Sequence, residues 1–221
     1  MDFGKAFSYV FEDQDWIKKV GISALIMLIP IVGQIVVGGW ALEITRRVIR
    51  RDPEPLPDWS EFGDFAIKGL KVMVIGIAYA LPLILLSICG QVPYFFVDSM
   101  GSDAETFVMF LSICIGCFSM IYGIFLGFVL PAALGNFAAT EELSAAFRFG
   151  EVFGLLRAAP MAYLMVLVGA FVAGLVAMLG MVACFIGLFV TIPYSYAVNA
   201  HLQGQAYNEA VAARGSQVEF A

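Results

Sequence analysis

The sequence predicts an all-α membrane protein, a polytopic transmembrane helical bundle, on three observations. Of its 221 residues 61% are hydrophobic and only 14% charged, a departure from soluble domains in both directions. Apolar stretches run on for about the 20 residues that cross a bilayer. Lys and Arg gather in a few short segments and are missing between residues 90 and 106, the asymmetry that orients membrane proteins.

Four apolar regions stand out, at residues 20–44, 66–89, 107–130 and 158–200. The last is too long for one span, and Gly180 divides it into two helices joined by a tight turn. Pro30 and Gly33, in LIPIVGQ, break the first region at its middle. The positive-inside rule puts the loop with Arg46, Arg47, Arg50 and Arg51 in the cytoplasm and residues 90–106 outside. Lys18 and Lys19 also prefer the inside, so the first region must enter and leave on one face. Two helices at 16–28 and 33–48 achieve that, each about 20 to 24 Å long; the rival is a single span with an external N-terminus. The prediction is therefore six short spans in three hairpins. The start of the chain, MDFGKAFSYVFEDQD, lacks the basic, apolar and small-residue pattern of a secretory signal, so no cleaved leader is expected.

Three amphipathic helices are predicted at the cytoplasmic interface. Phe3, Phe7, Val10 and Phe11 share one face opposite Lys5, Ser8 and Glu12. Trp59, Phe62, Ala66 and Leu70 form a second stripe, opposed by Glu61, Asp64 and Lys68. Leu143, Phe147, Gly150 and Phe153 form a third, with Thr140 as its N-cap. Each stripe precedes a hairpin, which suggests a threefold repeat at 1–52, 53–139 and 140–221 within a single membrane domain, residues 1–221.

Chemistry is sparse. Ion-coupled transporters and intramembrane enzymes carry ionisable groups at mid-membrane depth, and none is found here; Glu43 is the nearest, beside Arg46 and Arg47. Cys114 and Cys117 have C-x-x-C spacing without a His, Asp or Lys beside them, and read as small packing residues. Cys89 and Cys184 both fall near outer helix ends, where a disulfide would be permitted but nothing calls for one. Tyr196, Asn199, Gln203 and Tyr207 recur on one face of the last helix with His201 close by. With Gln34, the residues Tyr196, Asn199 and Gln203 make the one candidate polar path, set against a helix simply leaving the bilayer. Gly123 and Gly127 form G-x-x-x-G, and Gly169 with Ala173 a similar pair, the signature of close helix packing. No metal, cofactor or catalytic site is expected, and no basic run points to nucleic acid.

KAFSYVFEDQDWIKKV, then LIPIVGQIVVGGWALEITRRVIR, PEPLPDWSEFGDFAIKGLKVMVIGIAYALP and the closing FVTIPYSYAVNAHLQGQAYNEA resemble the bacterial and archaeal membrane proteins catalogued as domain of unknown function four-thousand-and-thirteen. The resemblance covers nearly the whole chain and implies a multi-spanning membrane protein, with no catalytic residues to carry over. The expected role is non-enzymatic: to organise or curve the bilayer, or to serve as a scaffold in a larger or self-associated assembly of the cell (inner) membrane, both termini cytoplasmic. The alternative is a permease or channel for a small or lipidic solute.

Overall fold

The computed structural model describes residues 1–92, 102–181 and 187–219. Among them the chain is helical, without strands: α1 (Phe3–Glu12), α2 (Trp16–Met27), α3 (Val32–Ile49), α4 (Phe62–Gln91), α5 (Ser102–Thr140), α6 (Phe149–Ala158), α7 (Pro160–Leu179) and α8 (Leu188–Glu219). Two 3₁₀ turns, Trp59–Glu61 and Leu143–Phe147, precede α4 and α6. Local sequence explains several boundaries. Asp2 caps α1, its carboxylate accepting the Lys5 N–H at 2.9 Å. Pro160 opens α7 at a position where no N–H is needed.

Among the described residues three helices are long and apolar enough to cross a membrane: Trp59–Gln91, Thr106–Thr140 and Pro160–Leu179. Six spans are not supported. The break at Pro30 leaves α2 with 12 residues and α3 with 18, about 18 Å and 27 Å against a hydrocarbon core of ~30 Å. The C-terminal half of α3 also carries Glu43, Arg46 and Arg47. Helix α8 has the length, at 32 residues, but Asn199, His201, Gln203 and Gln205 make it too polar. The three interfacial helices are corrected as well. Only α1 stands alone; the second stripe runs straight into α4, and the third is divided between a 3₁₀ turn and α6.

The chain falls into two compact units, 1–75 with 128–221, and 76–127. In the smaller, α4 and α5 pair through Tyr122, whose hydroxyl donates to the Tyr79 carbonyl at 3.0 Å. Ile88, Phe110, Ile113 and Ile121 are all exposed there, as lipid-facing residues would be.

In the larger unit α8 is the hub, packing against α7, α3, α2, α1 and α6. It runs antiparallel to α7: Thr191 Oγ1 donates to the Ala177 carbonyl at 3.0 Å, Ser195 Oγ to Ala173 at 2.7 Å, and Leu202 fills the space over Gly169. Its buried positions are mostly small, Ala197, Ala200, Gly204, Ala206 and Ala210, which lets backbones approach where the hydrophobic effect between helices is weak. Hydroxyl and amide side chains then reach across: Thr45 Oγ1 donates to the Ala200 carbonyl at 3.1 Å and Asn208 Nδ2 to Val48 at 3.0 Å.

The closest crossing joins α3 to α4. A Cβ added at Gly39 would strike the Phe65 carbonyl oxygen, and one at Gly69 the Ile35 carbonyl oxygen. Each glycine thus lies under a carbonyl four residues before the other, a reciprocal contact of backbone with backbone. Gly38, one position along, faces open space. Gly39→Ala should therefore lower stability by about 2 kcal/mol through overpacking, whereas Gly38→Ala should be neutral or stabilising by up to ~1 kcal/mol. Melting of the two purified variants in one detergent checks this, and equal melting temperatures would discard the crossing.

Candidate functional site

The α2/α3 hairpin is the most unusual feature of the larger unit. Its apex is apolar and uncovered: Leu25, Leu28, Ile29, Ile31 and Val32 are all at least half exposed, Ile31 at 71%. The backbone there is largely satisfied internally. Leu28, Ile29, Val32, Gly33 and Ile35 each donate to a carbonyl two to four residues earlier, and Pro30 has no N–H to satisfy. Gln34 is the polar exception, and it is exposed. Such a tip suits hydrocarbon, where an unpaired backbone group costs several kcal/mol. It suits water poorly.

Ile31 sharpens the point. Its φ of 67° and ψ of −61°, with the Val32 N–H donating to the Pro30 carbonyl at 2.8 Å, make a γ-turn of the rarer, strained hand. A β-branched residue at positive φ is an outlier, and glycine or asparagine would turn more easily there. The apex keeps an apolar side chain at the cost of local strain. On the other side Gly33 lets the arms close, since a Cβ would meet the Ile26 carbonyl.

The base of the hairpin is polar and tightly built. Lys19, 7% exposed, donates to Asp13 Oδ2 at 2.7 Å and to the Leu56 carbonyl at 2.9 Å, with Asp58 at 3.6 Å. Trp40 Nε1 donates to the Pro57 carbonyl at 3.1 Å and Trp59 Nε1 to the Lys19 carbonyl at 2.8 Å. The two indoles stack 5.7 Å apart. The proline-rich strap PEPLPDW is thereby fixed across α2 and α3, with Leu56 fully buried.

Helix α1 is docked rather than free. Ala6, Tyr9 and Val10 are buried; Tyr9 Oη donates to the Ala197 carbonyl at 3.0 Å and Tyr194 Oη to Phe7 at 2.8 Å. Gln205 Oε1 accepts the Asp2 N–H at 2.7 Å, which turns its Nε2 toward the Asp2 carbonyl at 3.1 Å and toward His201 Nδ1 at 2.9 Å. His201 Nδ1 is accordingly an acceptor and the ring neutral, stacked on Tyr9 at 4.3 Å.

The anticipated site residues are dispersed. Phe3 and Phe7 are half-buried on α1, their rings 5.2 Å apart, and only Phe11 projects, 54% exposed. Trp59 is a pillar of the base, Phe62 is exposed, and Phe147 and Phe153 are half-buried. Gly169 packs closely against Leu202 and Phe3, whereas a Cβ at Gly123 meets nothing within 4 Å; Gly127, on α5, is half-buried. Tyr196 is exposed, Asn199 and Gln203 are half-buried, and Asn199 Nδ2 donates to its own helix at Ser195. None of these, nor Gln34, lines the two open clefts of about 490 and 520 Å³ on either side of His201. Cys89, Cys114 and Cys117 are exposed thiols; Cys184 lies outside the described residues. Lys19 and the apex were missed as a pair. The signal was a lysine next to the first apolar run and a proline at its middle.

One protein-family profile matches residues 22–186, the family described as Protein of unknown function (DUF4013). Comparison with curated proteins and with solved structures returned no match. The profile takes in the hairpin, the strap, α4, α5 and α7, and on that match over most of its length the chain belongs to this family.

Proposed function

We propose that the protein is a non-enzymatic, multi-pass component of the cell (inner) membrane that curves or organises the bilayer by wedging one leaflet. The observation that carries this is the length of the apolar part of the α2/α3 hairpin. From Val32 to Leu42, before the first charge of α3 at Glu43, there are about 11 residues and ~16 Å. That is close to half a hydrocarbon core of ~30 Å. The apolar apex then ends near the bilayer midplane, and the polar base stays in the headgroup layer. Mass inserted into one leaflet alone expands that leaflet relative to the other.

One ion pair supports the proposed topology. The Met1 ammonium lies 3.0 Å from Glu209 on α8, which sets the start of the chain and the later part of α8 on one side. Three apolar spans alone would separate them. Helix α8 supplies the fourth crossing: surrounded by five helices, it does not need a lipid-compatible surface. The base, rich in Arg, faces the cytoplasm with both ends of the chain. In a variant without native cysteines, Asp52→Cys and Glu209→Cys should be labelled from the same, cytoplasmic side; labelling from opposite sides would refute this topology.

For the wedge itself, electron microscopy of liposomes carrying purified protein at rising protein-to-lipid ratios should show tubes or uniformly small vesicles. Ile29→Asp with Ile31→Asp should abolish the effect while α4, α5 and α7 remain inserted, because a carboxylate at that depth costs about 2.5 to 3.5 kcal/mol each on insertion scales. Wild-type vesicles that stay round and large at every ratio would overturn the reading.

A further inference from the structure

The wedge leaves a second feature unused, a crevice where α3, α4 and α5 converge within the larger unit. We propose that this crevice binds a phosphate group. It encloses about 80 Å³ and is bordered by Arg46, Lys68 and Lys71 together with Glu43, Asp64 and Glu141. At ~30 Å³ per water that is room for two or three waters, the scale of a single oxyanion group rather than of a whole solute.

The three cations and three carboxylates of its lining do not pair one to one. Glu43, 8% exposed, is held by Lys68 at 2.5 Å, Arg46 at 3.4 Å and Arg47 at 3.6 Å. Asp64 is held by Lys68 at 2.6 Å, and Glu141 by Arg46 and by Arg50 at 3.2 Å. Every carboxylate is committed, and two cationic donors are not. Lys71 has no ion pair or hydrogen bond among the described residues, and Arg46 Nε is buried without a partner. A buried N–H on a cation with nothing to donate to costs more than a neutral one. A phosphate oxygen would satisfy it, since guanidinium and ammonium groups form their strongest hydrogen bonds to such anions.

Two details favour phosphate at a membrane surface. The crevice is bordered by Ile67, exposed on α4, where an apolar helix face meets the charged end of a span, the depth of a lipid phosphate. Glu141 marks the position an anion would compete for. It follows the end of α5 at φ 63°, a left-handed conformation that is strained for a non-glycine residue, yet it directs its carboxylate onto Arg46 and Arg50. It serves as an internal counter-anion that a phosphate would displace. The source is either the headgroup of an anionic phospholipid or free phosphate.

The test uses the full chain in an uncharged detergent, with melting temperature read against inorganic phosphate in one arm and phosphatidylglycerol in another, phosphatidylcholine and chloride serving as references. Wild type should be stabilised in at least one arm. Lys71→Gln should weaken that apparent affinity about tenfold, Glu141→Gln should tighten it severalfold, and Lys18→Gln, exposed and away from the crevice, should leave it unchanged. A response to phosphatidylglycerol alone assigns a lipid headgroup; an equal response to inorganic phosphate assigns the free anion. Stabilisation no greater than with phosphatidylcholine and chloride overturns the site, as does Lys71→Gln binding as tightly as wild type. Because neither arm measures vesicle shape, the result is independent of the wedge.

Discussion

The buried ammonium of Lys19 is the interaction on which the larger unit depends. Removing a cation from water costs several kcal/mol unless it is paired and fully hydrogen-bonded, and here Asp13 at the end of α1 and the Leu56 carbonyl and Asp58 in the strap supply that company. Satisfying one charge therefore fixes the end of α1, the start of α2 and the proline-rich strap together. The Trp40 and Trp59 indoles close the same junction from the other side, each with its N–H on a backbone carbonyl of that junction. With the base rigid, the short arms of the hairpin project from a defined plane, and their reach is set by their length alone.

That reach explains what the sequence disclosed and what it concealed. Pro30 in an apolar run announced a helix–turn–helix, and the structure has one, with α2 and α3 close to the anticipated bounds. Hydropathy could not show how the arms sit, because it does not register what covers a helix, and the second half of α3 is buried against other helices. The same limitation applies in reverse to α8. Its amides and histidine suggested a helix leaving the membrane or a polar path. In the fold they are covered by neighbouring helices or bond backbone carbonyls, as Asn208 does at Val48. Burial inside a bundle and immersion in lipid both tolerate low charge, and only tertiary contacts separate them.

The aromatic stripes misled for a related reason. A helical period reports that one face is apolar, not what covers it. On α1 that face meets α7 and α8 through Phe3, Tyr9 and Val10, which leaves Phe11 as its exposed aromatic. Around Trp59 the stripe packs on Trp40 and Phe65. Several residues that looked like membrane anchors pack the base of the hairpin instead, and in the proposed wedge insertion falls to aliphatic side chains at a turn, Ile29 and Ile31, which no amphipathic pattern marks.

The glycines follow a single logic that connects packing to the proposed role. Where lipid is the solvent, apolar side chains gain little by meeting one another, so helices associate through close backbone contact and carbonyl-directed hydrogen bonds. Gly39 and Gly69 bring α3 against α4, Gly204 brings α8 against α3, and Thr45 reinforces the second joint. Helix α3 is held from two sides from Val36 onward and is exposed only around its start, at Val32 and Gln34. A helix clamped at one end and free at the other transmits load from its tip to its base. Lateral pressure on the apex in the inserted leaflet would thus be borne by the glycine crossings and the Glu43 ion network, the part of the molecule with the tightest packing and the densest charge pairing.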